Sequence, residues 1–223
     1  MQISLVGLNH RSAPVAIREK AAIRTQRLRD SLESLCSHLS HGVILSTCNR
    51  TEVYTVTSGD NQGTMLSLSF LQKYLDIPQH TLHLYTYVLE GKVAVEHLFS
   101  VTCGLDSMVI GEYEVLGQVR QALEAAEEAE MVSLPLRYLF QSAIRAGRRV
   151  REETGLSKNA LSVSSVAVEL AAKTIGNLVD CKMLVIGAGE AGRLAAKAAR
   201  ERGVSQIAVA SRTRERASEL AMG

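Results

Sequence analysis

A chain of 223 residues, 46% of them hydrophobic, can bury a core as one large or two small domains, which excludes a disordered polymer. A formal net charge of +2 is too small to mark a nucleic-acid binder, and no run approaches the roughly 20 apolar residues of a membrane span. Cys36, Cys48, Cys103 and Cys181 stand far apart, with no CxxC pair and no histidine spacing that suits zinc or an iron–sulfur cluster, so free thiols and no metal are expected.

The N-terminus, MQISLVGLNHRSAP, has neither a basic leader nor a long apolar segment, which predicts a soluble, untargeted protein of the reducing cytoplasm. Gln2 to Leu8 reads as a strand. From Pro14 to about Leu39 apolar residues recur at helical spacing through Ile17, Ala21, Leu28, Leu32 and Leu35, and Gly42 ends that helix. Val43 to Ser46 and Glu52 to Thr57 read as two strands with Cys48 in the turn between them. The loop SGDNQG precedes a helix from about Met65 to Leu75, Pro78 breaks the chain, and Leu84 to Leu89 makes a last strand. The order βαββαβ is the signature of a ferredoxin-like sandwich over residues 1–90.

In ILSTCNRTEVY, residues 44 to 54, a cysteine stands in a polar turn beside Thr47, Asn49 and Arg50. A structural cysteine is usually buried among apolar neighbours, whereas one beside a cation can be held partly as thiolate. Three readings of Cys48 stay open on residue type: an acyl-carrying nucleophile, an unreactive turn residue, and a redox-sensing thiol.

Residues 91–176 are almost wholly helical in pattern, with breaks near Gly104, Gly111, Pro135 and Gly155. Arg137 to Lys158 holds six basic residues against Glu152 and Glu153, and Glu124, Glu127, Glu128 and Glu130 precede it. An apolar stripe through Leu136, Leu139, Phe140, Ala143, Ile144, Gly147 and Val150 packs half of that helix. Its arginines suit nucleic-acid phosphates, or equally a solvated face paired with the upstream glutamates.

Residues 177–223 open with MLVIGAGEAGRLAAKAARERG, in which a buried strand runs into Gly187, Gly189 and Gly192 and a helix follows. This is the G-x-G-x-x-G of a Rossmann-type dinucleotide unit, whose tight turn lets backbone amides meet a pyrophosphate at the helix N-terminus, with Ala188, Glu190 and Ala191 between the glycines. The next strand, Gln206 to Ala210, ends at Ser211, Arg212 and Thr213, where an NAD site usually has an acidic residue. A guanidinium between two hydroxyls suits a 2′-phosphate, so NADPH is expected over NADH; the alternative is that Arg212 is a solvated surface residue. Two strands are fewer than the roughly three of a complete mononucleotide-binding half, so an incomplete nucleotide domain is expected.

A hydride donor and a nucleophilic thiol in one chain point to reduction of an activated carboxyl group through a thioester. At this point five segments carry a resemblance: GLNHRSAPV, STCNRTEVY, GLDSMVIGEYEVLGQV, ETGLSKNALSVSSVAVELA and VIGAGEAG together resemble the glutamyl-tRNA reductases, across essentially the whole chain. The resemblance implies an α/β protein with a ferredoxin-like catalytic domain, a helical segment that completes the substrate site and the start of a Rossmann domain. It implies NADPH-dependent reduction of glutamyl-tRNA to glutamate 1-semialdehyde, the first step of the C5 route to tetrapyrroles. It also implies a homodimer formed through a further C-terminal helical domain, and glutamate-1-semialdehyde aminomutase as a candidate partner.

Carried over by residue, the nucleophile falls on Cys48 and the substrate-binding turn on Thr47, Asn49 and Arg50. Arg50 is expected to hold the substrate's free carboxylate and to depress the thiol pKa. The activity-linked histidine falls on His97; read alone, a histidine on an apolar helical stretch is a packing residue. Substrate contacts fall on Ser107, Glu112, Tyr113, Glu114 and Gln118, which otherwise read as helix caps and surface polar residues. Relatives commonly have Pro-Gln where this chain has Tyr113 and Glu114, which puts the roles of those two in doubt. His10 matches a motif of the resemblance but suggests no chemical step, and is read as structural. Two alternatives remain: a truncated form that binds glutamyl-tRNA or a partner without reducing it, and an NADP-dependent reductase of another acyl donor.

Overall fold

The computed structural model describes residues 2–37, 39–57, 61–154, 156 and 163–222, with the backbone alone at Thr25 and Gln26. Packing divides the chain into two compact units, residues 1–158 and 159–223.

The first unit is built on a four-stranded antiparallel sheet in the order β2-β3-β1-β4, the ferredoxin-like arrangement. Its strands are β1 (Gln2–Asn9), β2 (Gly42–Ser46), β3 (Arg50–Thr57) and β4 (Tyr87–Glu90). Leu5 lies opposite Tyr54 and Val6 opposite Val53, so β1 and β3 share the centre. Helices α1 (Val15–Ala21), α2 (Thr25–Cys36), α3 (Gln62–Leu75) and α4 (Gln79–His83) belong to the sandwich.

Helices α5 (Gly91–Thr102), α6 (Glu114–Glu128) and α7 (Leu134–Glu153) pack on β1, β2 and β3 respectively. Their Leu98, Val119, Leu136 and Phe140 join one hydrophobic core with Leu5, Leu45 and Tyr54 of the sheet. Phe140 meets Tyr54 edge-on, with ring centroids 5.3 Å apart. With helices packed against it from several directions, β3 is buried from Arg50 through Val56, although that run holds Thr51, Glu52 and Thr55. Such a strand cannot alternate polar with apolar toward water, so its polar residues must find partners inside.

The single helix expected over Pro14 to Leu39 is two. The chain is extended at Ala22, and the Ile23 N–H donates to Ser46 Oγ (2.9 Å) in place of a helical carbonyl. Ile23 is thereby buried at the edge of β2, a gain that outweighs unbroken helix. The last strand, expected from Leu84, begins at Tyr87, because Pro78 starts the short helix α4 and Tyr85 and Thr86 still bond back to Leu82 O. The helix expected from Met65 begins at Gln62.

The second unit holds α8 (Val163–Ile175), β5 (Lys182–Ile186), α9 (Glu190–Glu201), β6 (Gln206–Ala210) and α10 (Arg214–Met222). β5 and β6 pair in parallel, with Val185 opposite Val209, as a Rossmann-type β–α–β requires. Its core is small: Val168, Leu178, Ala198, Ala199 and Val204, with Met183 and Ile207 against them. Leu184 and Ile186 are 60% and 83% exposed. Among the described residues no helix is long and apolar enough to cross a membrane.

Candidate active site

Cys48 sits at the tip of the turn between β2 and β3. Thr47 N–H donates to Arg50 O (2.8 Å), and Thr47 Oγ1 accepts from Asn49 N–H and Arg50 N–H (3.1 Å each). The threonine side chain thus locks the turn that presents the cysteine, and Cys48 is exposed. Arg18 of α1 grips the same turn from outside, donating through Nη1 to Cys48 O (3.2 Å) and Asn49 Oδ1 (3.1 Å).

The Cys48 thiol is pushed up from its ordinary pKa, first by lost hydration and then by the carboxylates of Glu112 and Glu114, while Arg18 pulls the other way. This corrects the expectation that Arg50 depresses it. The Arg50 guanidinium turns inward, 2% exposed. Its Nη1 donates to Glu52 Oε1 (2.7 Å), and its Nη2 donates to Asp106 O (2.6 Å) and Oδ2 (3.0 Å). With both terminal nitrogens engaged, Arg50 ties β3 to the loop after α5, and does not present a free fork to a carboxylate.

Glu52 is the centre of that network and is fully buried. Its Oε1 receives Arg50, Tyr87 Oη (2.5 Å) and His97 Nε2 (2.8 Å), and its Oε2 receives Tyr54 Oη (2.6 Å). Burial alone would raise this carboxyl, but the His97 hydrogen bond and the Arg50 charge prevail and hold it at about 2. The same burial and the same carboxylate push the Tyr54 and Tyr87 hydroxyls up. His97 therefore belongs to a buried ionic cluster, its ring 5.6 Å from that of Tyr87, and is not the simple packing residue its apolar helix suggests.

The loop between α5 and α6 carries the remaining candidates. Asp106 is held by Arg50 and, through Oδ1, by Arg11 Nη1 (2.7 Å). Ser107 is buried, and its Oγ has no hydrogen-bond partner among the described residues. Arg151 of α7 clamps the loop's far side by donating to Glu112 O and Thr102 O (2.9 Å each). Tyr113 is 59% exposed. Glu114 opens α6. Gln118 lies a turn further on, lining a cavity of about 340 Å³ with Ile23, Ile44 and Ser46.

In the second unit Gly187 has φ +106°, a conformation that favours glycine, and open space lies where a Cβ would stand at Gly187 and Gly189. At Gly192 a Cβ would run into the Gly187 carbonyl oxygen, so α9 can approach the turn only with glycine there. Gly189 caps α9, and Glu190 at its first position is paired with Arg193. Ser211, Arg212 and Thr213 follow β6, all exposed. An open, glycine-lined helix N-terminus after a parallel strand fits the pyrophosphate of a dinucleotide coenzyme. Among the described residues no cluster of histidine, cysteine, aspartate or glutamate could hold a metal ion.

Comparison with known proteins bears on the whole chain. The family model for the glutamyl-tRNAGlu reductase N-terminal domain matches residues 6–154, more than half of it. The chain belongs to the glutamyl-tRNA reductase family. A second model, shikimate/quinate 5-dehydrogenase, matches residues 169–223. The glutamyl-tRNA reductases of Bacillus pumilus and Geobacillus thermodenitrificans are 41% and 43% identical over 99% of this chain, which covers 49% of each. The solved glutamyl-tRNA reductase from Methanopyrus kandleri aligns over 99% of this chain and 52% of its own, with a TM-score of 0.61 and 39% identity. The chain spans about half the length of the curated relatives it matches.

Within this glutamyl-tRNA reductase fold, the first unit brings Cys48 within reach of the charges of Glu112 and Glu114, and it joins Arg50 and His97 through Glu52, and Arg50 to Asp106, the chain neighbour of Ser107. Sequence reasoning missed Arg18, Glu52 and Asp106. Glu52 carried a signal, a lone carboxylate inside an otherwise strand-like run, which implies a buried partner of opposite charge. Arg18 carried none, since an arginine on a short amphipathic helix reads as solvated.

Proposed function

We propose that this chain carries the glutamyl-tRNA-binding and acyl-transfer machinery of an NADPH-dependent reduction that yields glutamate 1-semialdehyde, the entry to tetrapyrrole synthesis. The observation that supports it most is the exposed Cys48 thiol at a turn locked by Thr47 Oγ1 and gripped by Arg18 at Cys48 O and Asn49 Oδ1.

The Cys48 sulfur attacks the acyl carbon of the glutamyl ester. A C–S bond forms, the C–O bond to the terminal ribose breaks, and the departing tRNA oxygen takes a proton. In the free protein the thiol is protonated, which guards it. The substrate's α-ammonium, placed against Glu112 and Glu114, would offset the two charges that add to burial in raising the thiol, which lowers the cost of forming the thiolate when the correct ester is bound. Glu52 occupies His97 Nε2, which leaves Nδ1 as the atom to exchange a proton near the acyl centre. The Gly187–Gly192 turn would hold the pyrophosphate of NADPH and Arg212 its 2′-phosphate, and the bound coenzyme would supply the hydride for reduction of the thioester to the aldehyde.

The two-stranded sheet of the second unit favours one further reading for the chain as given: acylation of Cys48 without hydride transfer. Glutamyl-tRNA bearing labelled glutamate tests both. Label should appear on the protein as a thioester and vanish in Cys48→Ser, with semialdehyde following on addition of NADPH if the second unit is competent. Labelling of the serine variant at the parent rate would overturn the proposal.

A further inference from the structure

Helix α7 has a side that the fold does not use. Residues 131–151 hold five arginines, Arg137, Arg145, Arg148, Arg149 and Arg151, and no carboxylate. Three of them are engaged: Arg137 pairs with Glu127, Arg149 pairs with Glu153, and Arg151 turns to the carbonyls of Thr102, Gly147 and Glu112. Arg145 and Arg148 are exposed, and neither has an ion pair among the described residues; Arg145 donates to Ser142 Oγ (2.9 Å) of its own helix. Side chains three residues apart on a helix are neighbours, and like charges there repel, so the pair adds nothing to the stability of α7.

Tyr138, 71% exposed, and Gln141 lie on the same stripe, because steps of three and four residues stay on one face. Leu139, Phe140, Ala143 and Ile144 are buried on the other side and hold the stripe toward solvent. From Tyr138 to Arg148 it runs about 15 Å along the axis and offers a phenol, an amide and two guanidiniums. These are side chains that hold phosphate and sugar oxygens without reading sequence. The C-terminal end of α7 adjoins the site: Arg151, three residues past Arg148, donates to Glu112 O (2.9 Å), and the Glu112 carboxylate acts on the Cys48 thiol. The stripe therefore leads away from the loop that borders Cys48.

We propose that Tyr138, Gln141, Arg145 and Arg148 form a docking surface for the phosphate backbone of the charged tRNA's acceptor arm, Arg145 and Arg148 neutralising its phosphates while the ester lies at Cys48. The inference rests on the glutamyl-ester reading above. A nucleic-acid arm is the occupant that matches the surface in sign along its whole length, since each of its residues carries an anion. The small net charge of the chain is no obstacle, because the cations are concentrated on one helix face.

Two measurements on the 223-residue chain test this. The first is the affinity for glutamate-accepting tRNA, by fluorescence anisotropy across a salt series. Replacing Arg145 and Arg148 together by alanine should weaken binding at least about tenfold and flatten the slope of log K against log salt by roughly 1.5. Lysine at both positions should restore the slope, and Lys73→Ala, an exposed cation on α3, should change neither quantity. The second is acylation of Cys48 by the charged tRNA and by L-glutamate α-benzyl thioester. The double alanine variant should raise the half-saturating concentration of the tRNA about tenfold and leave the rate with the small thioester unchanged.

Acylation by the tRNA with half-saturation and salt slope unchanged in the double variant would overturn the inference and leave the thioester proposal standing. Variant-sensitive tRNA binding by a chain whose Cys48 is never acylated would support the surface and remove the thioester. Failure of the parent chain to bind tRNA would overturn the surface, as would poly-L-glutamate bound as tightly and with the same dependence on the two arginines, which would assign α7 to an acidic protein partner instead.

Discussion

Cys48 and Glu52 are four residues apart and meet opposite fates, which decides what each titration reports. The cysteine is at the surface with its pKa raised by burial and by Glu112 and Glu114, so removing one of those charges should lower it. Glu114→Gln should therefore lower the thiol pKa and speed iodoacetamide labelling of Cys48 at pH 7 by roughly a few-fold. No change in the rate profile would mean that Glu114 does not act on the thiol. Glu52 is held near 2, well below the ordinary carboxylate value of 4.5. As pH falls, the unfolded chain takes up its proton first, so the stabilisation is complete above about pH 5 and is lost on the way to pH 2. Its size is about 3 kcal/mol from the shift. Glu52→Gln should flatten that dependence in urea midpoints measured between pH 6 and 3. At neutral pH it should cost about 3 kcal/mol or more, since it leaves Arg50 buried against a neutral partner. The sequence displays the cysteine's role through its polar neighbours. It hides Arg50's, because a guanidinium beside a nucleophile reads as a substrate clamp until burial shows both ends of its fork in use.

At the scale of elements, periodicity located the four strands and the helices around Ile17, Leu32 and Phe70 in the first unit but only the helical character of α5 to α7, and two of the misses share a cause. The break at Ala22 and the late start of β4 are set by partners distant in sequence: Ser46 for the Ile23 amide, and the pairing of Val6 with Val88 for the strand. Neither is visible in a local window. Ser46 Oγ also meets Thr51 Oγ1 (3.0 Å), so Ser46→Ala should cost about 1 kcal/mol and loosen the α1–α2 junction. Faster hydrogen exchange at the Ile23 amide than at the Leu5 amide would report it. Phe140→Ala should cost about 3–5 kcal/mol, because it empties space against fully buried Tyr54. A loss below 1 kcal/mol would show that α7 is not part of the sheet's core. The arginines of α7, read as candidates for phosphate contacts, are partly committed within the fold: Arg151 to Thr102 and Glu112, Arg137 to Glu127, and Arg149 to Glu153.

The whole molecule is two units with separate cores of unequal quality. The first buries large side chains such as Tyr54, Phe70 and Phe140, whereas the second relies on alanines and a few valines and leaves Leu184 and Ile186 in contact with water. Chemical denaturation should therefore show two transitions, the amides of β5 and β6 exchanging at lower urea than those of β1 and β3. A single transition shared by all four strands would contradict this. One further property follows from the loop between α5 and α6, riveted by Arg11 and Arg50 at Asp106 and by Arg151 at Glu112. A visitor to that loop finds its contour set in advance, so little affinity is consumed in freezing it. Calorimetry of L-glutamate α-methyl ester should show a modest entropic penalty, and cutting any one rivet should enlarge it before it alters the chemistry.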